Sequence, residues 1–367
     1  MKNWLKKYLL NYLLTKNLDI VKVAYFDTTI RGKLNIHSNI ECISDKTINN
    51  LISFFEKFDL MYQGNEVNKE LEIRGGWKAL IEDSMPNVLK SIRNKDWKTY
   101  SSLLESMFRN EVIYGLWDYK FFDNSDKPPA DYLASIDGYQ FITGRSVDSL
   151  FTSKFGNPWG LESKQGLISM IAGDAGVKAF NIMNLINGKS GPVVLDLGSG
   201  YGADMMELAN SFIGPIRIIL CDIPITLATA YFQISMNFPD NVTLIENRDD
   251  LAVIMSSPVT KLEFILTPSI FVDELSKFDI DVLHNHGSLA EMDFETANFY
   301  LNLLVTKRLG HFLEMNAAAP HIWDTKFTEL DCKNFLIPST HYLISRTPMF
   351  LSSKGKRYTQ SLYAQVH

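Results

Sequence analysis

Ten residues, Val193-Val-Leu-Asp-Leu-Gly-Ser-Gly-Tyr-Gly202, constrain the fold more than any other part of the chain. A run of branched apolar residues stops at three glycines on alternate positions. Ala203-Asp-Met-Met-Glu-Leu-Ala follows, rich in helix formers. This order predicts a buried strand, a tight turn and a helix, the opening unit of an open α/β sheet that binds a nucleotide-like ligand. Glycine serves the turn twice, by permitting positive φ and by removing the Cβ that would keep a ligand off the backbone.

The spacing then bears on the ligand. Gly198, Gly200 and Gly202 read Gly-x-Gly-x-Gly, with Ala203 where the dinucleotide fingerprint has its third glycine, a variant that fingerprint tolerates. Asp196 is the stronger departure. An acid inside the strand end suits a ligand with a cationic amino group and has no use beside a pyrophosphate. A second apolar strand, Ile216 to Cys221, ends in Asp222, about 20 residues past the glycines, where an acid grips ribose hydroxyls. Together these favour S-adenosylmethionine over a nicotinamide dinucleotide. The candidate cofactor-binding set is Asp196, Gly198, Ser199, Gly200, Gly202, Asp222 and Ile223.

Composition narrows the class. The 367 residues are 46 % hydrophobic with a net charge of −6, enough for a large core and without a basic stripe for nucleic acid. Cys42, Cys221 and Cys332 lie far apart, which fits a reducing cytoplasm better than a disulfide framework. Lys2, Lys6 and Lys7 flank an apolar run from Tyr8 to Leu14, but Asn11 interrupts it and no small-residue cleavage site follows. No run is long enough to span a membrane. A first helix packed on the body is the simpler reading of this run, with peripheral membrane contact as the alternative. Oligomeric state is not legible.

Along the chain, Asp45 to Asn110 carries helical periodicity, and Asp131 to Phe151 shows no clear period. A helix is expected over about 165–187, then the strand at Val193. After Asp222 come a helix from Pro224 to about Phe238 and two short strand candidates, Val242–Ile245 and Leu262–Leu266. The later of these is the better third strand of the core. Ile280–Leu283 reads as the fourth strand, Leu289 to about Lys307 as a helix, and Gly310–Met315 as the next strand. His341–Ser345 and Tyr358–Val366 read as a closing antiparallel pair. The expected architecture is α/β: a Rossmann-like methyltransferase sheet, mostly parallel with a C-terminal antiparallel pair, over residues 151–367. A mainly helical N-terminal region, 1–150, is expected to have an acceptor-binding or lid role.

Reacting groups belong at the carboxyl ends of such strands. There the sequence places His284, Asn285, His286, Ser288 and Glu291. Methyl transfer to a hydroxyl needs alignment and removal of a proton, and histidine is a natural base. His286, nearer the loop, is favoured over His284, with Glu291 orienting the base or the acceptor. Ser288-Leu-Ala-Glu291 also reads as a capping box for the next helix. No metal site is expected, because Asp293 falls off the helix face that Glu291 and Glu295 would share.

Gly156-Asn-Pro158, the glycine motif, Cys221-Asp-Ile-Pro224 and Asn285-x-x-Ser-Leu-x-Glu-Met292 resemble the sugar O-methyltransferases of bacterial surface-glycan clusters. The resemblance covers about Gly156 to Asn316. It implies S-adenosylmethionine as cofactor and a sugar, nucleotide-sugar or glycan acceptor. Its pattern points to Asn285, Ser288 and Glu291 at the acceptor side, and it departs at His284 and His286. Trp159, in the loop before the fold, is a further candidate for contact with a sugar ring. Three alternatives stay open: a nicotinamide-dependent sugar-modifying oxidoreductase, an O-methyltransferase for a non-sugar small molecule, and a non-catalytic scaffold. The clear Tyr-x-x-x-Lys match that the first would need, Tyr12 to Lys16, lies far upstream of the turn.

Overall fold

The computed structural model describes residues 34–35, 42–58, 71, 75–110, 112, 130–158, 160–162, 166–169, 171–319, 322–323, 327–349 and 358–366. The run at Tyr8–Leu14, the Tyr12–Lys16 match and Trp159 lie outside them. Eight strands form one sheet: β1 (Val193–Leu197), β2 (Ile216–Asp222), β3 (Val242–Leu244), β4 (Leu262–Pro268), β5 (Ile280–His286), β6 (Leu309–Ala317), β7 (His341–Pro348) and β8 (Tyr358–Gln365). Their order is β7-β8-β6-β5-β1-β2-β4-β3. Every pairing from β6 to β3 is parallel. β8 returns antiparallel between β6 and β7. This is a Rossmann-like sheet with the expected closing pair. Of the two candidates for third strand, Leu262–Pro268 lies against β2, and Val242–Leu244 is demoted to the edge.

Parallel strands are buried on both faces, so their centres run apolar instead of alternating. Along β2, Ile216, Ile218 and Leu220 enter one core while Ile219 and Cys221 enter the other. The first core is covered by α6 (Ala172–Ile186), α7 (Ala203–Ser211) and α8 (Pro224–Asn237). Four earlier helices add to it: α1 (Asp45–Lys57), α2 (Gly75–Ser84), α3 (Pro86–Arg93) and α4 (Trp97–Glu105). Leu51, Phe54, Ile81, Leu89, Tyr100 and Leu104 share this core with Leu227, Phe232 and Ile234 of α8. The second core lies under α9 (Arg248–Ser256), α10 (Val272–Leu275) and α11 (Phe294–Leu304). Caps follow sequence: Ser44, Asp96 and Asn247 each accept a hydrogen bond from the backbone two or three residues into the helix they start.

Three expectations are corrected. Residues without clear period form α5 (Ala130–Thr143). Its exposed side carries Phe141 and Ile142 while Ser135, Ile136 and Tyr139 are buried, which blurs the apolar stripe. The helix expected from about 165 begins at Ala172, because Leu167–Ser169 pairs antiparallel with Gly160–Glu162. The helix expected from Leu289 begins at Phe294, capped by Asp293 through the Thr296 amide. Ser288 and Glu291 therefore form no capping box. They lie in a turn between β5 and that helix.

The chain leaves β1 toward β2 and leaves β5 toward β6, on opposite sides. The switch point between β1 and β5 is where such sheets open a crevice beyond their carboxyl ends. Asp196 and His284 are register partners across that boundary.

Candidate functional site

The glycine turn has a conformational reason at each of its three positions. Gly198, Gly200 and Gly202 have φ of +69°, +57° and +83°, a region that costs other residues about 1–2 kcal/mol. Their surroundings differ. A Cβ on Gly198 would be driven into the Ser288 side chain, and one on Gly202 would lie 2.8 Å from Leu220 Cδ2. A Cβ on Gly200 would meet nothing within 4 Å. Gly198 and Gly202 thus serve packing, and Gly200 leaves a cradle.

Asp222, ending β2, closes one side of that cradle. Its carboxylate accepts hydrogen bonds from the Gly200 amide at 2.8 Å and the Ile223 amide at 2.7 Å. Burial pushes its pKa up to about 7, against the pull of those two amides. Four buried polar atoms at this end of the sheet lack a partner: Ser199 Oγ, Thr226 Oγ1, Thr267 Oγ1 and His284 Nε2. Unpaired buried polar atoms are expensive, so their concentration here fits a polar ligand. Tyr201 is buried beside them with Phe108 edge-on at 5.3 Å. Phe108 in turn donates its amide to Gly156 O, and Arg109 donates to Asn157 O. The Gly156-Asn-Pro158 loop is thereby tied to the helical region alongside the turn.

At the switch point β5 runs through His286, so both imidazoles lie on one face of the strand. His284 is fully buried, with Nδ1 2.8 Å from Asp196 Oδ1. Burial raises the Asp196 pKa, and His284 offsets part of that rise. Between them, Asn285 faces the other way and is also fully buried. Its Nδ2 donates to Leu197 O at 2.7 Å and to Ser288 Oγ, while its Oδ1 accepts from Asn316 Nδ2 at 2.9 Å. Asn316 continues to Glu314, whose carboxyl is pushed up to about 7 by burial. Asn285 and Ser288 were expected to touch the acceptor. In the fold their polar groups brace the glycine turn against β5 and β6. Glu291 sits half-buried in the turn after β5.

The sequence reading missed three charged residues in this group. Lys178, on α6, is almost wholly buried and lies 2.7 Å from Asp174 Oδ2 and 3.3 Å from Asp204, on the first turn of α7. Its Nζ is also 2.8 Å from His286 Nδ1. Burial opposes its charge, yet the two carboxylates hold its pKa above the usual lysine value. Asp204 Oδ2 in turn lies 3.9 Å from His284 Nε2 and 3.8 Å from His286 Nδ1. The legible signal was Asp174-x-x-x-Lys178, an i,i+4 pair inside a run otherwise fit for burial. An ammonium has hydrogens and no acceptor, so it can only donate to His286 Nδ1. The imidazole hydrogen then sits on Nε2. His286 is one-third exposed, so it is the histidine a ligand can reach.

Among the described residues no group of histidines, cysteines and acids is placed to hold a metal ion, and no helix is long and apolar enough to cross a membrane. Cys42, Cys221 and Cys332 are free thiols. No family model and no curated protein matches the chain. Solved structures to which it is similar include a small RNA methyltransferase (12 % identity, 52 % of this chain and 25 % of that one, TM-score 0.33). Others are mitomycin 7-O-methyltransferase (12 %, 54 % and 56 %, 0.34) and magnesium protoporphyrin IX methyltransferase from Synechocystis (10 %, 71 % and 96 %, 0.35). The chain thus spans a quarter of the first and about half of the second. At these scores the fold rests on the strand order itself.

Proposed function

We propose that this chain is a class I methyltransferase that transfers a methyl group from S-adenosylmethionine to a hydroxyl of a sugar or surface-glycan precursor. The observation that carries the donor is the Gly200 cradle, open where a side chain would stand and bounded by Asp222. When bound, S-adenosylmethionine supplies an electrophilic methyl group on a sulfonium. The chain's own residues have separate tasks. The turn from Gly198 to Gly202 brings backbone close to the ligand, and Asp222 with Ile223 holds the ribose side. The carboxylates of Asp174 and Asp204 outnumber Lys178, so the local charge favours a cationic ligand. Tyr201 and Phe108 exclude water from the turn.

The acceptor half rests on the sequence resemblance and on Phe108, which stands against Tyr201 of the turn and holds the Gly156-Asn-Pro158 loop beside it. His286 is the proposed proton acceptor because it is the reachable imidazole. Taking a proton through Nε2 requires the ring hydrogen on Nδ1, with Asp204 as the nearby carboxylate to receive it. We place the reaction in the cytoplasm, where three free thiols stay reduced. The test is incubation with methyl-labelled S-adenosylmethionine and a panel of nucleotide sugars, surface-glycan extracts and phenolic small molecules. Label on a sugar supports the reading. Label confined to a non-sugar compound overturns the acceptor and leaves the donor.

A further inference from the structure

From the contact between Lys178 Nζ and His286 Nδ1 we infer that Lys178 is a positioning residue that sets the tautomer of His286, holding it as an Nε2–H donor until that contact is broken. The geometry leaves little freedom. Lys178 has three hydrogens and three partners within hydrogen-bond reach: Asp174, Asp204 and His286. The two carboxylates keep it charged, and a charged lysine cannot accept a hydrogen from Nδ1. Charged or titratable groups stand near the ring on four of the elements around it. They are Lys178 and Asp174 on α6, Asp204 on α7, His284 on β5 and Tyr358 on β8, the last edge-on at 6.3 Å. Of these, Lys178 and Asp204 compete for Nδ1, and Lys178 holds it at 2.8 Å against 3.8 Å.

Two consequences follow, and the second rests on the methyl-transfer reading. In the held state the imidazole carries its hydrogen on Nε2, and Nδ1 is occupied by a hydrogen of the ammonium. A lone pair on Nε2, which a general base needs, becomes available only when Lys178 turns wholly onto Asp174 and Asp204, the Nε2 hydrogen leaves to water, and Nδ1 takes a hydrogen from water and directs it at Asp204. Lys178 therefore decides whether His286 is a donor or a base, through a single hydrogen bond.

The tautomer is read directly by nitrogen-15 NMR of histidine-labelled full-length protein without substrate, so the outcome is independent of whether the chain methylates anything. Wild type should show His286 protonated on Nε2. Lys178→Met should move the hydrogen toward Nδ1 and raise the His286 pKa by about one unit or more, since a cation is lost and Asp204 is left uncompensated. Lys178→Met could unfold by stranding two carboxylates. The double variant Lys178→Met/Asp174→Asn removes one of them and should show the same tautomer change. Protonation on Nδ1 in wild type, or an unchanged tautomer and pKa in a folded variant, would overturn the inference. Absence of methyl transfer by the wild-type protein with the NMR result intact would count against the proposed function alone.

Discussion

Two alanine substitutions two residues apart in the same turn should separate packing from ligand space. Gly198→Ala places a methyl in the left-handed region, a strain of about 1–2 kcal/mol. The same methyl is driven into Ser288, which is buried and braced by Leu197 O and Asn285 Nδ2, so relief requires breaking hydrogen bonds worth about 1 kcal/mol each. Overpacking adds roughly 1–3 kcal/mol. The expected loss of stability is about 4–7 kcal/mol. Gly200→Ala bears the same strain with nothing in its way, so its loss should stay near 1–2 kcal/mol. Urea unfolding of both variants measures this difference. Calorimetry of Gly200→Ala with S-adenosylmethionine should show at least a tenfold weaker Kd, about 1.4 kcal/mol, because the methyl enters the cradle. Equal destabilisation of the two variants, or wild-type affinity in Gly200→Ala, would refute the division of roles.

Asp222→Ala should weaken donor binding by roughly 1.5–3 kcal/mol, the range for a hydrogen bond to a charged group, as read by calorimetry. Asn285→Ala should lower stability by roughly 2–4 kcal/mol, through lost bonds to Leu197, Ser288 and Asn316. A stable Asn285→Ala protein with an altered acceptor KM would return that residue to the binding side. Glu207, which accepts the Phe151 amide, and Glu314 are both pushed up to about 7 by burial. A carboxyl with a folded pKa above its unfolded value binds its proton more tightly when folded. Stability is therefore gained as pH falls from about 7 toward 4.5 and lost as it rises. Glu314→Gln should flatten this dependence by roughly 1–3 kcal/mol between pH 5 and 8 in urea midpoints, and an unchanged slope would remove Glu314 from the account.

Strands β1, β2, β4, β5 and β6 were legible because their buried centres are short apolar runs, such as Ile218–Cys221 and Phe264–Leu266, bounded by Gly, Pro or polar residues. The turn was legible because positive φ leaves glycine as its mark. The His284 and His286 placement followed from strand periodicity once β5 was carried to its end. What escaped was set by partners distant in sequence. Lys178 meets Asp204 and His286 across 26 and 108 positions, and no local pattern records such pairs. Ser288 illustrates a competing partner: its spacing to Glu291 is that of a cap, yet its hydroxyl is drawn to Leu197 O and Asn285. Asp293 takes the cap instead.

The central claim is the identity of the methyl donor, and titration calorimetry on the full-length protein tests it most directly. S-adenosylmethionine and its demethylated product should both bind with one site per chain, Asp222→Ala should weaken both, and NAD should release no measurable heat. Saturable binding of NAD in preference to S-adenosylmethionine would contradict the account at its root.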